Sequence, residues 1–388
     1  MSRRPTRGAL GLGGVGGLLV AVGATAQAGW LFVLAAGVLG ALVASAILCP
    51  SLGRCRVRRE LPATAVAGED VSVRLEVVDE GRLRAPLRIE DHHPALEPAA
   101  LFCEPTGGGR TASGQHVRRV LRRGVFSGGE VRLASAWPFG AVRAQRDLDV
   151  SSDVVVVPRT LPLHDFPLAG AGDGAEAALP PSSGHGDQLA GVRDYRAGDD
   201  VRKVHWRSTA RRGHLVVRED ARTPTPRVAL VLAGEDHGEP PDSAFEALVT
   251  AAASIALHAL ELGHDLELLR PGPGGDVIRL TAQDRAQVLA WFAAAESVDT
   301  PIARLTREAA AAPPPASVVL FLPDRGRAAA DLPAALGTIT RAGCKHVVVT
   351  ADTATWDGDG GDAARPGGLA SADRVLRRHE SVQSCLQG

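Results

Sequence analysis

The sequence predicts a membrane-anchored α+β multidomain protein: two transmembrane helices, a β-sandwich-like domain, and a C-terminal α/β domain with a doubly wound sheet. Three observations predict it. Residues 8–49 hold no charged side chain, residues 56–160 alternate short apolar-polar runs with turn formers, and from Arg227 onward strand-like and helix-like runs alternate. At 388 residues the chain has room for two or three domains of roughly 100–200 residues each.

The charge-free run from Gly8 to Cys49 comes first. As one helix it would reach about 63 Å, about twice the hydrocarbon core of a bilayer. Two spans, about 8–26 and 29–49, fit better, with Thr25–Gly29 as the connection and Trp30 at an interface position. Arg3, Arg4 and Arg7 precede the pair, and Arg54, Arg56, Arg58 and Arg59 follow it. The positive-inside rule then puts both flanks in the cytoplasm, so the expectation is a multi-pass cell-membrane protein with cytoplasmic termini, touching lipid through an N-terminal hairpin. Ala24-Thr25-Ala26 also fits a leader cleavage site, yet the second span and its arginines would still hold the remainder inside. Gly11, Gly13 and Gly16 spell a dinucleotide fingerprint, but that motif needs a preceding strand. Gly13 and Gly17 suit close helix packing instead.

Composition narrows the function. Lys and Arg number 43 against 44 Asp and Glu, a net charge of −1, which is no electrostatic footprint for nucleic acid. The five cysteines, Cys49, Cys55, Cys103, Cys344 and Cys385, show no metal-ribbon or redox spacing and read as reduced thiols.

Residues 51–165 are expected to form the β-rich domain. Val71, Val73, Leu75 and Val77 alternate with Ser72, Arg74 and Glu76, the period of a half-buried strand. Val117–Leu121, Val131–Ala134 and Val154–Val157 are further short runs, with turns at Gly81, Pro86, Pro94, Gly107–Gly109, Gly124 and Gly128-Gly129. Residues 166–222 begin with a Gly/Ala/Pro/Ser-rich stretch, 170–186, that reads as a flexible loop. Residues 223–388 alternate in type: strands at Arg227–Leu232, His264–Leu269, Ser317–Leu322 and Lys345–Thr350, helices at Ser243–Leu262, Ala282–Ala295, Ala328–Ala342 and Ala372–His379. Such alternation implies a mainly parallel sheet.

The most unusual segment runs from Asp187 to Arg222, with nine Lys/Arg and six Asp/Glu interleaved with Tyr195, His205 and Trp206. Guanidinium forks and carboxylates at such spacing can cross-brace one another, and Ala197-Gly198-Asp199-Asp200 reads as a turn. Two readings stand: an ion-pair network that seats a loop, or a recognition surface for a protein or anion. The network would comprise Arg193, Asp194, Asp199, Arg202 and Arg211, with Tyr195, His205 and Trp206 as support or contact and Gly198 in the turn.

This block closely resembles the signature of the bacterial DUF fifty-eight family (domain of unknown function), through Arg193, Asp194, Tyr195, Gly198, Asp199, Arg202, Val204, Trp206, Thr209, Ala210 and Arg211. Arg122-Arg123-Gly124 and Pro138-Phe139-Gly140 resemble two further family elements, with Trp137 in place of the usual Asp. The resemblance implies a degenerate von Willebrand factor A-like C-terminal domain. It also implies a setting beside MoxR-type AAA+ ATPases and other membrane proteins, hence an interaction or adaptor role and no catalytic residues.

Departures from that pattern matter. A metal-binding von Willebrand A domain carries D-x-S-x-S after its first strand, whereas Arg227–Leu232 runs into Ala233-Gly234-Glu235-Asp236-His237. No metal is therefore expected there, nor any cofactor. Asp357, Asp359 and Asp362 resemble the opening of a calcium loop, but position 12 is Gly368 where a Glu is needed. His92-His93 read as surface residues. The alternative function is a metal-dependent phosphodiester or phosphotransfer enzyme built on Asp199, Asp200, Lys203 and His205, whose two carboxylates and lysine could hold a metal and activate water.

Overall fold

The computed structural model describes residues 2–79, 85–103, 111–168, 189–196, 201, 204–220, 225–311, 313–357 and 371–387. Two compact units emerge, residues 1–159 with 292–294 and residues 160–291 with 295–388. The chain is a mixed α/β protein with two apolar N-terminal helices that could span a membrane.

The first unit opens with strand β1 (Ser2–Pro5) and helices α1 (Arg7–Ala26) and α2 (Gly29–Leu48). Each helix has 20 residues, about 30 Å at 1.5 Å per residue, the thickness of a hydrocarbon core. Gln27, at φ 50°, ends α1, so the connection falls where the sequence placed it. The helices run antiparallel: a Cβ on Gly13 would meet Leu42, one on Gly16 would meet Leu39, and one on Gly23 would meet Leu31 and Phe32. Gly17 has open space around it, so the close approach uses Gly13, Gly16 and Gly23, not the expected pair.

Eight more strands follow: β2 (Cys55–Glu60), β3 (Thr64–Val66), β4 (Asp70–Asp79), β5 (Leu87–His92), β6 (Ala99–Cys103), β7 (Thr111–Arg119), β8 (Gly124–Ser135) and β9 (Val142–Val157). They make a three-stranded sheet, β2-β4-β7, and a larger one, β1-β9-β8-β5-β6 with β3 beside β9. Val73, Leu75 and Val77 of β4 share one core with Leu87 and Ile89 of β5 and Val131 and Leu133 of β8.

On β7 the apolar and charged side chains sit against their usual places: Val117 is exposed and Arg118 buried. Arg118 and Arg59 both bond the carboxylate of Asp91, which sits at a core position of β5. Arg59 also donates to Ser152 Oγ at 2.9 Å and Arg118 to the Glu97 carbonyl at 2.6 Å. His93, expected on the surface, is buried. Its Nδ1 accepts the Ala95 N–H at 3.2 Å, and burial first, then the Arg59 charge, pushes its pKa down.

In the second unit, β10 (Leu189–Asp194), α3 (Trp206–Arg212) and β11 (Val216–Asp220) precede the main sheet. Next come β12 (Arg227–Leu232), the short pair β13 (Gly238–Glu239) and β14 (Asp242–Ser243), α4 (Ala244–Glu261), β15 (Asp265–Pro271), β16 (Val277–Ala282), α5 (Arg285–Ala293) and α6 (Ile302–Ala309). The remainder is β17 (Ser317–Pro323), α7 (Gly326–Ala330), α8 (Leu332–Arg341), β18 (Lys345–Ala351), α9 (Ala354–Asp357), β19 (Arg374–Leu376) and α10 (Val382–Gln387). The sheet order is β16-β15-β12-β17-β18-β19, parallel except for β16. Ala229 and Val231 face α6 and α8, and the alternation of a strand turns Val228, Leu230 and Leu232 to the other face. Helix α4 lies against β12, β15, β17 and β18. It too is long and apolar enough to span, but 72% of it is buried inside the unit, so it is a core helix.

Several elements depart from expectation. Residues 374–376 form strand β19, not a helix across Ala372–His379, because they pair with Val349–Ala351 and bury Leu376. The expected helix Ala328–Ala342 is two, α7 and α8, with Pro333 in the first turn of the second, where its missing N–H costs nothing. Strand β16 and helix α6 are additional. The Gly/Ala-rich stretch 170–186, the turns at Gly81 and Gly107–Gly109, and Asp359 and Asp362 lie outside the described residues.

Candidate functional site

The polar block folds into a small motif of its own. Strand β10 pairs antiparallel with β11, with Arg193 opposite Val217 and Asp194 opposite Val216. The next backbone bonds extend the ladder: Tyr195 N–H donates to the Leu215 carbonyl at 2.9 Å and His205 N–H to the Val216 carbonyl at 2.8 Å. Val204, Val216 and Val217 are buried, so three valines anchor an otherwise polar segment.

Helix α3 is capped by a side chain at its start and ended by a glycine. His205 Nδ1 accepts the Ser208 N–H at 3.2 Å, satisfying one of the orphan donors of a helix start. Gly213, at φ 73°, ends the helix and returns its N–H to Thr209 O. Thr209 Oγ1 then accepts the Val216 N–H at 3.1 Å, fastening the helix to β11. Arg211 and Arg212 occupy the last turn, where cations suit the helix dipole.

This scaffold leaves an outer surface of mixed character. Trp206 is 65% exposed, Val201 63% and Leu215 44%, beside exposed Arg207, Arg211 and Arg212. Asp194 Oδ1 lies 2.9 Å from His214 Nε2, and His214 Nδ1 lies 3.0 Å from the Arg212 carbonyl. His214 and Thr209 join the motif without standing among the expected site residues: Thr209 is a signature residue in the middle of the helix, and His214 is a polar side chain two residues past its end. Of the expected site residues, the structure gathers Asp194, Tyr195, His205, Trp206 and Arg211 around one hairpin and one helix. Arg193 is placed by its backbone on β10, while Gly198, Asp199, Arg202, Asp200 and Lys203 lie outside the described residues.

A second place of interest is the carboxyl edge of the main sheet. The strand order reverses beside β12, which carries β15 on one side and β17 on the other, and open α/β sheets bind ligands at such switch points. There Ala233 is buried and its N–H donates to the Phe321 carbonyl at 3.0 Å. Gly234, at φ 130°, packs so closely on Pro323 that no Cβ fits. Asp236 Oδ1 accepts the Phe245 N–H at 3.3 Å at the start of α4, and His237 Nδ1 lies 3.3 Å from Asp357. Asp324 is buried, with one carboxylate oxygen accepting from Thr353 Oγ1 at 2.6 Å and Thr353 N at 3.1 Å. Asp236 thus caps a helix, and one oxygen of Asp324 braces the segments that follow β17 and β18, while the other, Oδ2, is buried without a hydrogen-bond partner among the described residues. Among the described residues, no three His, Cys, Asp or Glu side chains are grouped to hold a metal ion.

The family model described as Protein of unknown function DUF58 matches residues 191–312. That match supports the DUF58 family. The DUF58 match begins within β10, takes in α3 and β11, and continues through β12, β15 and β16 of the main sheet to just past α6. The polar motif and the first half of the sheet therefore fall in one DUF58 match. No curated protein matches the chain.

Proposed function

We propose that this protein is a membrane-tethered cytoplasmic adaptor whose signature motif docks a protein partner, with a MoxR-type AAA+ ATPase as that partner. One observation carries the reading: a helix capped at its start by the His205 ring leaves Trp206 65% exposed, with Arg207 and Arg211 exposed on the same helix, next to a hairpin segment that buries Val204, Val216 and Val217. Exposed tryptophan and arginine are the residue types that dominate protein–protein hot spots. Folding such a motif around three buried valines, and then leaving its aromatic in water, favours recognition over a purely structural network.

The C-terminal unit reads as a degenerate von Willebrand A-like domain, supported by its mostly parallel sheet with helices on both faces. The first unit reads as a β-sandwich-like domain on a helical hairpin, and the flanking arginines favour a cytoplasmic location for both ends. The partner assignment rests on the DUF58 resemblance and its usual setting beside such ATPases.

A photo-crosslinking amino acid placed at Trp206, with the full-length protein in its native membrane, tests the reading. Crosslinks to an AAA+ ATPase, identified by mass spectrometry, are the expected result. Crosslinks to lipid alone, or none above an uncoupled control, would contradict it.

A further inference from the structure

The first unit carries an aromatic turn at the mouth of the helical hairpin. Residues 136–140 close on themselves through the Gly140 N–H, which donates to the Ala136 carbonyl at 2.7 Å. The turn sends Trp137 and Phe139 outward, 39% and 56% exposed. Its next bonds go to the residue that starts the first apolar helix: Thr6 Oγ1 donates to the Gly140 carbonyl at 2.7 Å and Thr6 N–H to the Ala141 carbonyl at 2.9 Å. Thr6 also caps α1 by accepting the Ala9 N–H at 3.2 Å. The far end of the hairpin returns to the same place, where Arg3 Nη2 donates to the Cys49 carbonyl at 3.1 Å.

Charge completes the picture. β1 pairs with β9 so that Arg4 stands directly opposite Arg143, an arrangement that is destabilising unless an anion relieves it. Both are exposed, as is Arg7 at the start of α1, and among the described residues no carboxylate pairs with Arg4, Arg7 or Arg143. By contrast, Arg132 on the same sheet is held by Asp147 and Arg88 by Glu90. Beside Arg143 a groove of about 530 Å³ opens between Trp137, Phe102 and Gln145.

We infer that Trp137 and Phe139 enter the headgroup layer of the bilayer, and that Arg4, Arg7 and Arg143 take anionic phospholipid headgroups there. The inference rests on the reading of α1 and α2 as membrane spans. If α1 crosses, its 20 residues place Thr6 at the hydrocarbon boundary, and the turn bonded to Thr6 shares that depth. Tryptophan settles at this level, and juxtamembrane arginines attract anionic lipid. These arginines, without a carboxylate among the described residues, name the occupant: a headgroup phosphate bridging Arg4 and Arg143 would supply the anion. The turn then fixes the first unit against the membrane surface, where two spans alone would leave it free to swivel.

The test places the full-length protein in nanodiscs of brominated phosphatidylcholine, alone or mixed with phosphatidylglycerol, and reads tryptophan quenching. Comparison with Trp137→Phe isolates the Trp137 emission, and comparison with Trp30→Phe isolates that of Trp30 on the hairpin connection. The expected result is quenching of both, with Trp137 quenched more strongly in the anionic discs, and loss of that lipid dependence in Arg4→Gln/Arg143→Gln. Quenching of Trp30 without Trp137 would overturn the inference while leaving the spans intact. Equal quenching of Trp137 in neutral and anionic discs would overturn the headgroup recognition. Quenching of neither would overturn the membrane reading and this inference with it.

Discussion

The ring of His205 closes the N-terminus of α3, and the very next side chain, Trp206, stands 65% exposed. One residue builds the helix and its neighbour is left for something else to cover. The two substitutions should therefore separate. His205→Ala removes a cap and should cost about 1 kcal/mol of stability. Trp206→Ala should change stability by no more than about 0.5 kcal/mol, as surface substitutions do. Thermal melting of the full-length protein in detergent, with both variants side by side, checks the split.

Asp91 is fully buried between Arg59 and Arg118. Removing the carboxylate leaves two guanidinium groups facing each other in the core. Asp91→Ala should lose about 3–5 kcal/mol, the cost of breaking a buried ion network from one side. Denaturant titration of the same detergent-solubilised protein measures it, and a loss below 1 kcal/mol would show that water reaches the site.

His93 gives the β-rich domain a pH dependence. Burial is the largest cause lowering its pKa from the ordinary 6.5, followed by the Arg59 charge, and His116 is lowered by burial as well. The unfolded chain then binds protons that the folded chain refuses. Stability is full above 6.5 and falls as the pH drops through that value toward the lower folded one. The melting temperature should be lower at pH ~5 than at pH ~7.5, and His93→Asn should shrink the difference.

Gly234 occupies a left-handed conformation against the ring of Pro323. Gly234→Ala should cost about 2 kcal/mol or more, since both backbone strain and overpacking oppose the new methyl. The loss should appear as early exchange of the amides at the β12–β17 edge in hydrogen-exchange mass spectrometry.

How much of this was legible in the sequence follows from where polarity and burial agree. The paired N-terminal helices were plain from an unbroken charge-free run and the strand Arg227–Leu232 from a continuous apolar one, while over Ala244–Glu261 apolar periodicity coincides with the buried face. Strand β5 was hidden by Asp91, a charge at a core position that only its arginines on β2 and β7 make tolerable. Arg118 hides its place in the same way, since it is buried while the apolar residue beside it, Val117, is exposed. β19 was misread as helix because its three residues are held by parallel pairing with β18, a tertiary effect that local propensity does not carry. The Pro271–Gly275 turn before β16 was a usable hairpin signal. At the signature motif the residue types were visible, but the His205 cap and the Thr209 bond to β11 depend on a helix whose ends the charge pattern conceals.

The affinity of the full-length protein in nanodiscs for a purified MoxR-type ATPase, measured for wild type and Trp206→Ala, tests the central claim most directly. A central aromatic anchor is worth about 2 kcal/mol or more, so the variant should bind at least about tenfold more weakly while melting at the wild-type temperature. Equal affinity, or no binding by either protein, would contradict the adaptor reading.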